Sequence, residues 1–356
     1  MRVIQWATGA MGRTCLQAVL DAPDLELAGL YVFSKRKEGR DAGDIARRPS
    51  CGVLATRNAD EIISLDADVV IHAARLDPPF EKHDEDICRL LRSGKNVISI
   101  NGGTFPPAWS RPRRAALEEA GRAGGATFMG AGLNPGFAAE KLAVLATGVC
   151  TRVDRVSLHE LVDCRAVKSA DYVFDVIGFG APTSSIDPNA PDWAPAVTMN
   201  AMFREVVACV TERLGWPLEV VTTDHVLRPA AEPLDIAAGR IEPGGAARID
   251  WKWQAHGGGA VRVELGISWT MEPPTAGDSA PGLWSIRVAG EPSVSLTLGL
   301  HEPEGWAART TPEMLGVAGA VVNAIPHVIA APPGVAETPA FVPWRGHNGR
   351  SGEKQT

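Results

Sequence analysis

Residues 6–13 read Trp-Ala-Thr-Gly-Ala-Met-Gly-Arg and follow an apolar run at residues 2–7. A glycine-bearing turn between a strand and a helix is a device for holding phosphate. Its free N–H groups point outward, and the helix dipole favours an anion. Gly9 lets the backbone approach a pyrophosphate, and Gly12 lets the helix lie close on its strand. Ala7 stands where the usual pattern has its first glycine, and a methyl group is tolerated there if φ is negative. Thr8, Gly9, Ala10, Met11, Gly12 and Arg13 are therefore expected to bind a dinucleotide. The competing explanation is a plain strand-to-helix turn.

The end of the next strand bears on which dinucleotide. NAD-specific sites place Asp or Glu there to hold the ribose 2′-hydroxyl. This chain reads Ser34-Lys35-Arg36-Lys37. A hydroxyl and three cations suit a 2′-phosphate. Ser34, Lys35 and Arg36 are thus expected to select NADP(H), with NAD(H) as second choice. A solvated basic loop explains the same residues. Two more stretches close strands: Ala73-Ala74-Arg75 and Asn101-Gly102-Gly103-Thr104. Ligands of open α/β sheets bind at such carboxyl ends, so Ala73, Ala74, Arg75, Asn101 and Gly102 join the expected cofactor contacts. Ordinary turn chemistry is the alternative.

Few groups can move protons. The run at residues 152–163 alternates like a half-buried strand. Val156, Leu158 and Val162 face one way; Arg155, Ser157, His159 and Asp163 face the other, and Glu160 lies opposite His159. His159 is the candidate proton relay, against a satisfied sheet-face histidine. Tyr172, one of two tyrosines, can donate to a substrate oxygen, against an ordinary half-buried aromatic. Asp171 and Asp175 straddle it as solvated or capping charges. Trp251 and Trp253 share a face and are expected in core or interface. Ser157 has no partner for a hydrolase triad. No clustered Cys or His suggests a zinc site, so no metal is expected.

The elements that must position these groups alternate over the first 130 residues. Apolar runs at 2–7, 25–33, 53–55, 68–72, 96–100 and 126–129 read as strands, with helical segments at 10–20, 60–65, 81–93 and 111–123 between them. Continuous apolar strands alternating with helices imply a doubly wound parallel sheet, a Rossmann fold. Beyond about residue 137 the pattern changes. Residues 137–148 read as helix, 181–196 as loop and 200–214 as helix. Residues 152–163, 218–226, 248–256, 260–270 and 293–300 read as strands of a mixed or antiparallel sheet. Residues 311–325 read as an apolar helix capped by Thr310 or Thr311 and ended by Pro326. The expected division is a dinucleotide-binding domain at 1–135, a substrate and dimerisation domain at 136–310, and a returning helix and tail at 311–345.

Composition limits the rest. The 356 residues suffice for two domains, and the 45% apolar and 22% charged fractions are ordinary globular usage. A net charge of −7 argues against nucleic acid. Six dispersed cysteines without a CxxC pair read as reduced thiols. No 18-residue apolar run suggests a membrane span, and no signal peptide precedes the first strand, so a cytoplasmic protein is expected.

Three motifs together resemble a known family: ATGAMGR at 7–13, GAGLNPGF at 130–137 and NAIPHVIAAPPG at 323–334. The chain is similar to the dihydrodipicolinate reductase-like oxidoreductases, in particular 2,4-diaminopentanoate dehydrogenase and the native amine dehydrogenases. The resemblance implies a Rossmann domain and an α/β domain with an open mixed sheet that covers the nicotinamide, in a homodimer. It implies oxidation of a small amine to a carbonyl with release of ammonia, or the reverse reductive amination of a ketone or aldehyde. By motif match, Asn134 and Pro135 would lie near the nicotinamide, Phe137 near substrate, and Asn323 would bring the last helix back to the first domain. Asn101, Asn134 and His159 are the catalytic candidates; Phe137 and Tyr172 are the substrate contacts. The chain departs from the family in one respect: amine-forming members carry a glutamate just after strand five, where this chain has Asn101-Gly102-Gly103-Thr104. An amide cannot accept a proton near neutral pH. The His-His-x-x-Lys string of true dihydrodipicolinate reductases is also missing. Three functions follow as alternatives: an amine dehydrogenase, an imine or carbonyl reductase that does not use free ammonia, and a cofactor-binding sensor without turnover.

Overall fold

The structure is a computed structural model that describes residues 1–76, 79, 81–273, 283–302, 304, 305 and 310–337. The expected limit at residue 345 lies outside them. The first layer runs β1 (Arg2–Trp6), α1 (Ala10–Asp21), β2 (Glu26–Tyr31), α2 (Ala42–Ala46), β3 (Ala55–Thr56), α3 (Ala59–Ser64), β4 (Val69–His72), α4 (Asp84–Arg92), β5 (Asn96–Ser99), α5 (Arg111–Gly124) and β6 (Thr127–Gly130). Its strands lie parallel in the order β6-β5-β4-β1-β2-β3. β1 pairs with both β2 and β4, so the winding reverses there and opens a crevice at the carboxyl ends. β4 is buried on both faces, as its unbroken Val69-Val70-Ile71 run requires.

A π-helical turn at Ala138–Ala143 leads through α6 (Val144–Ala146) into the second layer. Its strands are β7 (Arg152–Asp163), β8 (Val220–Thr223), β9 (Val226–Pro229), β12 (Ala246–Gly257), β13 (Ala260–Thr270), β14 (Leu283–Glu291) and β15 (Val294–Gly299); β10 (Leu234–Ile236) and β11 (Gly239–Ile241) form a separate hairpin. The order is β15-β14-β7-β13-β12-β8, with β9 also on β12. β7 runs parallel to β13 and antiparallel to β14, so the sheet is mixed. Helix α7 (Ala194–Arg213) packs across β12 and β13. The chain then returns: α8 (Pro312–Ala330) packs on α1, and β16 (Gly334–Val335) pairs in parallel with β6. The fold is therefore a Rossmann sheet plus a second mixed sheet.

Several elements differ from expectation. α7 begins at Ala194 rather than Asn200, with Pro195 at a position that suits a first helical turn. The expected strand at 218–226 is broken between β8 and β9. There the ring of His225 turns inward to pack edge-on against Trp251 and Trp253 and bonds Asn200 Oδ1, while the His225 backbone N–H donates to Asn189 Oδ1. Trp251 and Trp253 are core residues, as expected. β14 was not foreseen, although Trp284, Ile286 and Val288 alternate into the core. α8 does not stop at Pro326. Proline removes one hydrogen bond at a cost of ~3 kcal/mol, but Ile325 and Val328 are fully buried against the first layer and hold the helix in line. By length and mean hydropathy alone α8 is apolar enough to cross a membrane; here it lies on α1, capped by the Thr311 hydroxyl.

Two buried carboxyls join the layers. Glu205 of α7 accepts from the backbone N–H of Gly103 at 2.6 Å, from that of Thr104 at 3.3 Å, and from the indole of Trp109 at 2.8 Å. Glu140 accepts from the Thr104 hydroxyl and the Gly136 N–H, both at 3.0 Å. Burial pushes both acids above the ordinary carboxyl range, and these donors oppose the shift. Removing Glu205 would leave three buried donors without an acceptor, each costing ~1–3 kcal/mol. Glu205→Ala is expected to lose at least about 3 kcal/mol in urea unfolding, and Glu205→Gln, which keeps one oxygen, less than half of that. A loss under about 1 kcal/mol for Glu205→Ala contradicts this role.

Candidate active site

The phosphate turn has the expected form with one correction. Ala7 has φ 75°, in the left-handed region, not a negative φ. The turn imposes this conformation: the Ala7 N–H donates to Tyr31 O at 2.9 Å, and Gln5 Nε2 donates to Ala7 O at 2.9 Å. The strain of ~1–2 kcal/mol is borne because the Ala7 methyl is buried with Ile4, Trp6 and Ala74. Gly12 does what its place requires. A Cβ there would lie 2.3 Å from the Ala7 carbonyl oxygen, whereas a Cβ on Gly9 would meet nothing within 4 Å. One glycine is thus pressed on its strand while the other faces open space, which fits a pyrophosphate over the start of α1.

Beyond β2, residues Lys35–Lys37 form one 3-10 turn. Lys37 reaches back, its Nζ donating to Thr8 O at 2.7 Å and Thr8 Oγ1 at 3.0 Å. Burial, then Arg13, Arg40 and Arg36, hold its pKa below the usual lysine range. Burial and Arg47 likewise lower Arg13. The structure thus brings Thr8, Arg13, Arg36 and Lys37 together, with Lys35 exposed at the same turn and Ser34 before it. Ala73 and Ala74 are buried beside this turn, while Arg75 makes a 3.7 Å ion pair with Asp171 of the second layer.

The loop after β5 holds no acid. Asn101 donates from Nδ2 to Ala74 O at 2.7 Å, latching the loops after β4 and β5 together. Gly102 and Gly103 follow at φ 78° and 81°; a Cβ on Gly103 would lie 2.9 Å from the Phe128 ring. The loop after β6 supplies Asn134, joined to Pro135 by a cis peptide bond. Asn134 Nδ2 donates to Glu160 Oε2 of β7 at 2.5 Å. Asn134 Oδ1 is buried without a hydrogen-bond partner among the described residues. Ile267 and Trp284 flank Glu160 across the sheet. Burial pushes the Glu160 carboxyl up to about 7; Asn134 and the Trp284 indole oppose the rise, and Glu313 of α8 adds to it. A dinucleotide bound with its pyrophosphate by β1 and its adenosine side by β2 would extend its other end toward β4, β5 and β6. Asn101, Asn134 and Glu160 stand at that end.

His159 does not. It alternates with Glu160 on β7 and so lies on the opposite face, about half exposed, with Nε2 3.4 Å from Glu264 Oε1. Glu264 also pairs with Arg155 at 2.7 Å. The expected proton relay is therefore a member of a polar sheet-face network. Tyr172 lies in a π-helical turn against the second-layer core, its phenol pushed up to about 12 by burial. Phe137 opens the turn after Asn134 and packs partly on the same core. Asn323 rides on α8, which does return to the first layer. Glu160 is the residue that sequence reasoning passed over. Its signal was an acid placed on the apolar face of a strand, beside Val156, Leu158 and Val162. A separate cavity of ≈ 550 Å³ opens between Phe174, Trp193 and Arg240 and holds none of these residues.

Fold and site are those of a nicotinamide-dependent oxidoreductase, and the chain is similar to dihydrodipicolinate reductase-like proteins. A sequence model of the dihydrodipicolinate reductase N-terminus matches residues 3–78. Over its whole length the chain is similar to an amine dehydrogenase of Streptomyces virginiae, 25% identical over 99% of each chain. It is 23% identical to 2,4-diaminopentanoate dehydrogenase of Acetoanaerobium sticklandii, over 94% of this chain and 91% of that one. The solved amine dehydrogenase of Mycobacterium smegmatis shares the fold, with a TM-score of 0.77 over 97% of each chain at 21% identity. The family resemblance carried by the three sequence motifs stands.

Ala7 already adopts the glycine-like conformation, so Ala7→Gly should leave dinucleotide affinity within about threefold. Gly12→Ala drives a methyl into backbone and should weaken it at least about tenfold. Fluorescence titration with reduced dinucleotide reads both; equal affinities for the two variants would remove the turn from the site.

Proposed function

We propose that this protein is an NADP(H)-preferring oxidoreductase of a CH–NH2/C=O couple. It reductively aminates small ketones or aldehydes with ammonia and, in reverse, oxidatively deaminates amines. One observation carries the cofactor preference: Lys37 is drawn onto Thr8 of the phosphate turn, and the charges that weigh on it, Arg13, Arg40 and Arg36, are all positive. Crowded cations of this kind are relieved by an anion such as a 2′-phosphate. Likeness to an amine dehydrogenase and a 2,4-diaminopentanoate dehydrogenase along nearly the whole chain supports the couple.

Thr8 to Arg13 would hold the pyrophosphate, and Ser34, Lys35, Arg36 and Lys37 the 2′-phosphate. Ala73 and Ala74 would line the adenosine side, and Asn101, Gly102, Asn134, Pro135 and Asn323 the nicotinamide side. When bound, the reduced nicotinamide supplies a hydride to the carbon that carries nitrogen. The residues of the chain bind, orient and keep water away. Phe137 shapes the apolar wall. The polar outer face of the second sheet, with His159, Glu264 and Arg155, is the surface we assign to a homodimer. The second reading, an imine or carbonyl reductase that does not use free ammonia, is favoured by the loop after β5, which carries no acid.

NADPH oxidation with small ketones and aldehydes, with and without ammonium, separates the two. Ammonium-dependent oxidation is expected. kcat/KM should favour NADPH over NADH by at least about tenfold, and Lys37→Ala and Arg36→Ala should narrow that ratio. A wild-type enzyme that prefers NADH overturns the cofactor assignment.

A further inference from the structure

We propose that Glu160, held by Asn134, is the group that binds ammonium, takes its proton and returns that proton to the departing water. The inference rests on the amination reading above and names the residue that replaces the acid missing after β5. Of the other acids and histidines of this region, Glu205, His72 and His159 are engaged or misplaced, and Glu140 is sealed in the core with one oxygen unpartnered among the described residues. Glu205 is saturated by Gly103, Thr104 and Trp109. Glu140 is fully buried, with Thr104 and Gly136 on one of its oxygens. The His72 ring is sealed between Trp6 and His83. His159 lies on the far side of its sheet. Glu160 alone among them joins the second sheet directly to the loop that carries Asn134.

The surroundings suit a small cation. Glu313, in the first turn of α8, adds a second negative charge that acts on Glu160. The Cys164 thiol, itself pushed up to about 12 by burial, is another titratable neighbour. β13 presents Ile267, β14 presents Trp284, and the loop after β6 presents Asn134, none of them charged. Asn134 Oδ1, buried and without a partner among the described residues, is an acceptor available to an N–H of the bound nitrogen.

The steps balance. The Glu160 carboxylate takes one proton from ammonium, leaving ammonia. The nitrogen lone pair forms the C–N bond to the carbonyl carbon, the C=O π pair moves to oxygen, and a proton shift from nitrogen to oxygen gives the carbinolamine. The Glu160 carboxyl returns its proton to the hydroxyl, the C–O bond breaks with its electron pair, and water leaves. Glu160 is a carboxylate again, and the iminium accepts the hydride already described. The amine then takes one proton from solvent. A group that must both accept and donate works best when its pKa is near the working pH, and burial supplies this by pushing Glu160 up to about 7.

The test compares wild type with Glu160→Gln and Glu160→Asp, using ammonium chloride with an accepted ketone, and separately a preformed cyclic imine. Glu160→Gln should raise KM for ammonium and lower kcat of amination by about a hundredfold or more. Reduction of the preformed imine, which needs no C–N bond formation, should stay within about tenfold, and Glu160→Asp should recover part of the amination. Melting temperature against pH gives a readout independent of turnover. A carboxyl whose folded pKa is raised stabilises the fold while protonated and loses that contribution as pH rises through its folded value. Wild type should therefore lose stability relative to Glu160→Gln between about pH 4.5 and about pH 7.5, and the difference should level off above that. An ammonium-dependent wild type with unimpaired Glu160→Gln, or a flat melting difference, overturns the assignment of Glu160. Wild-type NADPH oxidation indifferent to ammonium overturns the amination reading itself.

Discussion

The carboxyl of Glu205 fastens one sheet to the other, and the rest of the site depends on that attachment. The loop after β5 runs through φ values that only glycine adopts readily, so Gly102 and Gly103 carry no side chains to anchor it. The anchor comes instead from α7, across the layer boundary, through the N–H groups of Gly103 and Thr104. Thr104 passes the constraint on. Its hydroxyl donates to Glu140, which also holds the Gly136 N–H in the loop after β6. The two loops that end the crevice are thus set by acids of the other layer. Burying two carboxyls is costly, and the network is stable only because backbone and indole donors satisfy them.

The phosphate turn follows the same logic on a smaller scale. A left-handed alanine is strained, yet Ala7 is held from both sides by Tyr31 and Gln5, and its methyl fills core space. Strain of this kind persists where the surroundings determine the conformation. Gly12 has no such freedom, because the Ala7 carbonyl occupies the place of its Cβ. The two positions look alike in a motif and differ in what they touch.

This contrast shows what was legible in the sequence. The Rossmann order could be read because buried parallel strands are continuous apolar runs and their helices are amphipathic. β7 and β13 could be read from alternation. β14 was missed, and α8 was expected to stop at Pro326, since no local rule says that Ile325 and Val328 lie in the core of the first layer. The phosphate turn was visible; the sign of φ at Ala7 was not, because it depends on partners in β2 and at Gln5. Lys37 could be seen as one cation of a basic run, but not as the one that bends back to Thr8. His159 and Glu160 were placed correctly on opposite faces. Which face meets Asn134 is a property of how the sheets stack, which alternation does not encode.

That stacking bears on the chemistry. An acid on the loop after β5 would travel with the cofactor-binding layer. Glu160 is in mid-strand, held in register between Ile267 and Trp284, and a side chain on a strand is placed more tightly than one on a loop. The proton-handling group then belongs to one layer and the dinucleotide turn to the other, with Asn134 as the link. Any separation of the layers would break the Asn134–Glu160 bond, admit water to the carboxyl and let its pKa fall toward the ordinary range. The tuning of this carboxyl would thus depend on the contact between the layers that Asn134 makes. The buried attachment through Glu205 and Glu140 would support the proposed chemistry for this reason, by fixing the loops after β5 and β6.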